Sequence, residues 1–138
     1  MAGTVKKVEY YYTIVSDLPG SGSKVLSALK NSGVDLVAYT GFPIDKGRAQ
    51  LDFVPSNHRV FQAAASKAGI KLVGPKTAFL IQGEDKKGAV ADILAKLAKA
   101  GISVTAMNAV AAGRDRYGAI LWVKPGNVNQ AAKVLGAK

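Results

Sequence analysis

The sequence predicts an α+β fold made of two tandem copies of one small unit, and three observations carry that reading. The chain repeats itself: Asp17, Gly20, Leu26, Leu29 and Gly33 return as Asp85, Gly88, Leu94, Leu97 and Gly101, each 68 positions later. Val25 and Val34 return as Ile93 and Ile102 at the same offset, and Pro55 and Asn57 as Pro125 and Asn127 at an offset of 70, as a loop two residues longer would give. Strand-like and helix-like apolar spacing alternates in the same order in both copies. Finally, 138 residues with 49% hydrophobic and 20% charged side chains suit one ordinary domain or two small ones and rule out disorder.

Val8 to Val15 is rich in Tyr, Val and Ile and reads as a strand, broken by Asp17-Leu-Pro-Gly20. A helix follows, with Val25, Leu26 and Leu29 on one face and Gly33 where a left-handed cap is wanted. Val34 to Phe42 is the second strand and Pro43 to Gly47 a turn. Arg48 to Val54 alternates Arg48, Gln50 and Asp52 against Ala49, Leu51 and Phe53, which completes a hairpin. Ser56 or Asn57 caps a helix that turns Val60, Phe61, Ala64, Ala65 and Ala68 inward and ends at Gly69, before a short strand from Ile70 to Val73. The second copy repeats the order: strand Thr77 to Gln82, helix Lys87 to Ala100, strand Ile102 to Val110, turn Ala111 to Arg116, strand Tyr117 to Lys124, helix Asn127 to Leu135.

Right-handed crossovers and hairpin pairing turn that order into two tandem ferredoxin-like (βαββαβ) units with antiparallel sheets and both helices on one face. The expected domains are residues 1–73 and 74–138. The second copy ends just after its second helix, with no residues left for a fourth strand. Gly74-Pro75-Lys76 is short enough for a hairpin, so Ile70 to Val73 is expected to fold back on Thr77 to Gln82 and close the second sheet. The first sheet then needs another neighbour, from the long strand beginning near Val5 or from a second chain, and a homodimer is expected.

Zero cysteines exclude a disulfide scaffold, a thiolate metal site and a cysteine nucleophile, and a single histidine argues against a histidine-rich metal site. No stretch reaches the roughly 20 apolar residues of a membrane-spanning helix, and Glu9 interrupts any signal-peptide core, so the expected location is cytoplasmic, away from membranes. The formal charge of +10 divides into +3 for residues 1–69 and +7 for residues 70–138. It fits nucleic acid, an anionic metabolite or an acidic partner, although scattered lysines also serve solubility alone.

The chemistry concentrates at the two strand-to-helix turns. In Asp17-Leu-Pro-Gly20-Ser-Gly22-Ser-Lys24, glycines allow close backbone approach and the free amides of the helix start favour a carboxylate. Asp17, with Asp35 at the start of the next strand, could hold an ammonium. Amides for a carboxylate and aspartates for an ammonium suit a free α-amino acid. The alternative is that Asp17 caps the helix and Gly20 turns the chain.

The strand ending in Asp-x-Pro-Gly, the helix ends Ser-Gly-Val-Asp at 32–35 and Ala-Gly-Ile-Ser at 100–103, and the hairpin and helix that follow resemble the ACT domain, twice over nearly the whole chain. That resemblance implies a non-catalytic regulatory protein that binds a free amino acid, needs no cofactor or metal, and acts on an enzyme of amino-acid metabolism. Carried over by position, it implicates Asp17, Leu18, Pro19 and Gly20 with Asp35 and Leu36. In the second copy it implicates Asp85, Lys86 and Gly88 with Ser103 and Val104.

Rival chemistries are weaker. Gly20-Ser-Gly22 lacks the third glycine of a dinucleotide loop, Gly83 to Gly88 lacks the Lys and Ser/Thr of a phosphate loop, and His58 has no serine or acid partner at a diagnostic spacing. The main alternative is RNA or DNA binding, from the basic charge and the run Arg116-Tyr-Gly-Ala-Ile-Leu-Trp122-Val, which resembles the third strand of an RNA-recognition motif out of register. A third is an oligomerisation or enzyme-regulating subunit without a ligand.

Overall fold

The β-branched and tyrosine-rich start of the chain holds an extended conformation for longer than its core signal suggests, and β1 runs Thr4–Ser16. It is followed by α1 (Ser21–Asn31), β2 (Leu36–Asp45), β3 (Arg48–Pro55), α2 (His58–Lys67), β4 (Val73–Glu84), α3 (Ala89–Lys99), β5 (Val104–Gly113), β6 (Arg116–Val123) and α4 (Val128–Leu135). The computed structural model describes residues 3–138. The chain divides into two units, Glu9–Lys76 on one hand and Met1–Val8 with Thr77–Lys138 on the other.

In the unit Glu9–Lys76 the strand order is β2-β3-β1-β4, with residues 73–76 as its share of β4. β1 and β2 both pair antiparallel with β3, Phe53 standing opposite Tyr11 on one side and Tyr39 on the other. Tyr11, Leu51 and Phe53 face Leu29 of α1 and Phe61, Ala64 and Ala65 of α2, so both helices cover one side of this sheet. Phe53 and Phe61 are fully buried with ring centroids 5.4 Å apart, and the Tyr11 ring lies 5.3 Å from Phe61. Asn57 caps α2 as expected, its side chain accepting from the Val60 N–H at 3.0 Å.

In the other unit the order is β5-β6-β4-β1, with residues 4–8 as its share of β1. Phe79, Ile81, Tyr117, Ala119, Leu121 and Val123 form the sheet side of its core, against Leu97 of α3 and Ala131 of α4. The fold is α+β, with a six-stranded sheet and four α-helices, and is consistent with ferredoxin-like architecture.

The expected hairpin at Gly74-Pro75-Lys76 does not form. Residues 70–72 lie outside any strand, and Val73 opens β4, which continues unbroken to Glu84. Extended backbone is compatible with the fixed φ of Pro75. At Gly74 the chain passes so close to β1 that a Cβ would stand 2.9 Å from the Tyr10 carbonyl oxygen, a contact that requires glycine. The fourth strand of the second unit is therefore the chain start rather than residues 70–73. Val5 packs on that unit's core, and the last residue holds it: the Lys7 N–H donates to the Lys138 carbonyl at 3.0 Å and the Lys138 N–H to the Val5 carbonyl at 3.1 Å. Among the described residues no helix is long and apolar enough to cross a membrane.

Candidate functional site

The turn between β1 and α1 is built from backbone bonds. The Asp17 N–H donates to the Gly47 carbonyl, the Ser21 N–H to Leu18 and the Lys24 N–H to Gly20. Gly20 is the helix cap residue, at φ 88, where glycine avoids the left-handed penalty, and no side chain caps α1. Asp17 is therefore not a capping residue. Leu18 projects outward, 67% exposed.

The open surface beside this turn is a groove of about 740 Å³ between α1 and β2. Gly22, Ser23 and Ser27 line it from the helix, Leu26 and Leu29 form an apolar part of the wall, and Val34, Asp35, Leu36 and Tyr39 line it from β2 and the chain before it. Of the first-copy residues expected at a site, the groove gathers Asp35 and Leu36; Asp17, Leu18, Pro19 and Gly20 are not in its walls.

The groove carries side-chain charge of both signs, Lys30 from α1 and Asp35 from the chain before β2. Near the helix start, the Gly22 and Ser23 amides have no intrahelical acceptor and sit at the positive end of the helix dipole. Asp35 is held by its backbone, whose carbonyl accepts from the Ser56 N–H at 3.0 Å and the Ser56 hydroxyl at 3.1 Å. Its carboxylate makes no hydrogen bond or ion pair among the described residues.

Tyr39 is a lining residue that sequence reasoning missed. Its ring rests 5.7 Å from Phe53, and its hydroxyl lies 3.6 Å from where a Gly22 Cβ would stand. Burial raises its pKa, so the hydroxyl is a donor at neutral pH. The strand pattern places it in β2, but only the approach of Gly22 brings α1 to it.

The second copy repeats the turn. Asp85 N–H donates to Asp115, Ala89 to Lys86 and Asp92 to Gly88, and Gly88 caps α3 at φ 80. Asp85, Lys86 and Gly88 line a pocket of about 270 Å³ with Val110 and Tyr117. Ser103 and Val104 are not in its walls: Ser103 is exposed ahead of β5, and Val104 packs on the core.

Other candidate groups have structural roles. His58 opens α2, and its Nδ1 shares a hydrogen bond with the Tyr11 hydroxyl at 3.2 Å. Tyr117 and Trp122, which a nucleic-acid surface would need for stacking, are buried at 9% and 7% exposure, and their parity on β6 puts them on opposite faces.

No family model and no curated sequence matches the chain. Solved structures do. Protein BT0572 from Bacteroides thetaiotaomicron superposes with a TM-score of 0.79 at 17% identity, over 97% of this chain and 88% of that one. The ligand-free regulatory subunit of aspartate kinase from Thermus thermophilus gives 0.66 at 15% identity, over 99% and 95%. E. coli aspartokinase III, solved with lysine and aspartate, gives 0.58 at 11% identity, over 98% of this chain and 32% of that one. The likeness is one of fold, and it extends over almost the entire chain.

Proposed function

We propose that this protein is a non-catalytic regulatory subunit of the ACT type that senses a free amino acid in the groove between α1 and β2. The observation that carries this reading is the set of groups there: helix-start amides at Gly22 and Ser23 and the Asp35 carboxylate, each without a partner among the described residues, beside apolar side chains, with Lys30 also in the wall. A ligand carboxylate meets the amides and the hydroxyls of Ser23 and Ser27, and its ammonium meets Asp35. Tyr39 supplies a further donor at the rim.

The aspartate kinase structures support the regulatory part of the reading, since one is a regulatory subunit of nearly this length and another was solved with amino acids. On this reading an enzyme of amino-acid metabolism is its partner; a second copy of the chain and a cytoplasmic location are further parts of the proposal. The turn at Asp17, Leu18, Pro19 and Gly20, exposed beside the groove, belongs to the proposed surface on which such a partner closes the site. The second-copy residues Asp85, Lys86, Gly88, Ser103 and Val104 take the corresponding part in that unit.

A thermal-shift screen against the twenty amino acids tests the reading. Ligand at about 100 times its dissociation constant stabilises by roughly 2.7 kcal/mol, a rise of several degrees for a chain of this size. The expected result is a rise with one amino acid or a chemically related few. A flat screen at millimolar concentration, with tight salt-sensitive binding of a short RNA, would replace this function by nucleic-acid binding.

A further inference from the structure

We propose that the cavity beneath α3, in the unit made of Met1–Val8 and Thr77–Lys138, is a second binding site that takes the zwitterion of an apolar amino acid. It goes beyond the reading above and shares no residue with the α1–β2 groove, though it borders the smaller pocket at Gly88 through Lys86, Ala89 and Tyr117; Ile93, which lines this cavity and not that pocket, tells the two apart. The cavity measures about 400 Å³. Small-molecule pockets span roughly 300–1,000 Å³, and the lower end suits one amino acid better than a nucleotide.

Three features define what fits. Val5 of β1, Ile81 of β4, Ile93 of α3 and Leu135 of α4 give it an apolar interior that suits a leucine- or phenylalanine-like side chain. Tyr117 lines it while only 9% exposed, and its hydroxyl makes no hydrogen bond among the described residues. A hydroxyl with no partner among the described residues, on a residue that lines the cavity, is one that a ligand carboxylate oxygen can take. Burial raises the Tyr117 pKa, so the group is a proton donor at neutral pH.

The rim sets the charge. Lys86 and Lys96 stand there with Glu84 and Asp92, two cations and two acids, all on exposed residues. Such a rim favours neither a simple anion nor a simple cation, but a zwitterion can pair with both signs. The sequence repeat offers no equivalent for the first unit, because Tyr117 corresponds to Ala49 at the offset of 68.

The test is calorimetric titration of the full chain with L-phenylalanine and L-leucine, alongside 3-phenylpropionate and phenethylamine, which lack one charge each. It is done on the wild type and on Asp35→Asn, which disables the groove. The expected result is binding of phenylalanine or leucine in both, with each one-charge analogue about tenfold weaker or worse. Tyr117→Phe should weaken binding about tenfold without loss of stability, since the hydroxyl it removes has no partner among the described residues. Ile93→Trp, which fills the cavity, should abolish binding; should that chain fail to fold, Tyr117→Phe decides. The proposal is overturned if neither amino acid binds at about 10 mM, if Tyr117→Phe leaves affinity unchanged, or if an analogue binds as tightly as phenylalanine. Binding lost in Asp35→Asn and kept in Tyr117→Phe would leave the groove standing and remove this cavity.

Discussion

The N–H of Asp17 donates to the carbonyl of Gly47 at 2.9 Å, and the same bond recurs 68 positions later, from Asp85 to Asp115 at 2.8 Å. Each copy thereby ties its strand-to-helix turn to its hairpin tip. The following cap repeats as well, with Gly20 at φ 88 and Gly88 at φ 80, and no atom lies within 4 Å of where either Cβ would be. Substitution there meets only the backbone penalty. Gly20→Ala and Gly88→Ala should each destabilise by about 1–2 kcal/mol, measured as a lower urea midpoint with unchanged slope.

The hairpin tips differ in a way that predicts a stabilising change. At the first tip Gly47 takes the positive φ; at the second, Arg114 and Asp115 do, at 55° and 57°. Two successive left-handed residues make the turn that prefers Asn-Gly. Arg114→Asn with Asp115→Gly should raise stability by about 1 kcal/mol or more, visible in thermal unfolding. The bond from Asp85 uses the backbone carbonyl at position 115 and is retained.

These turns are legible in the sequence because their determinants are local: a glycine at positive φ, a cap such as Asn57, an alternation such as Arg48 to Val54. The two-copy repeat and the order of strands and helices follow from the same short-range signals. What escapes is set at long range. Gly74-Pro75 reads as a turn by itself, but the backbone of Tyr10 and Tyr11 beside Gly74 makes it a close-packed strand residue. The strand that completes the second unit comes from the other end of the chain, and nothing within residues 74–138 could signal Val5. The α1–β2 groove is half legible: Asp35 and Leu36 are expected in it, whereas Tyr39 enters only through the packing of α1 on β2. The cavity beneath α3 draws on five elements and has no signature in any of them.

Asp52 carries a pH dependence whose sign can be stated. It is 6% exposed in β3, opposite Tyr12 on β1 and Thr40 on β2, and accepts a hydrogen bond from the Gln50 amide at 2.8 Å. Burial raises its pKa above the ordinary 3.8, outweighing the Gln50 bond and the charge of Lys76, which act the other way. The folded state thus holds the proton more tightly than the unfolded one. Stability from this group is fully present below pH 3.8 and is lost as pH rises through the folded pKa. Asp52→Asn keeps an acceptor for Gln50 and removes the buried charge. It should raise the urea midpoint at pH 7 and leave it unchanged well below pH 3.8; a lower midpoint at pH 7 would refute the sign.

The packing of α2 gives a test of the first core. Phe61 is fully buried between the rings of Phe53 and Tyr11. Phe61→Ala should cost about 3–5 kcal/mol. Asn57→Ala, which removes the cap of the same helix, should cost about 1 kcal/mol. Chemical denaturation of both variants checks the ranking.

The central claim is that the groove between α1 and β2 holds a free amino acid through the carboxylate of Asp35, and calorimetric titration of the amino acid found by the screen tests it most directly. On this account the wild type binds one equivalent at the groove, and Asp35→Asn weakens that binding by about 1.5–3 kcal/mol without changing thermal stability. Undiminished binding in Asp35→Asn would contradict it.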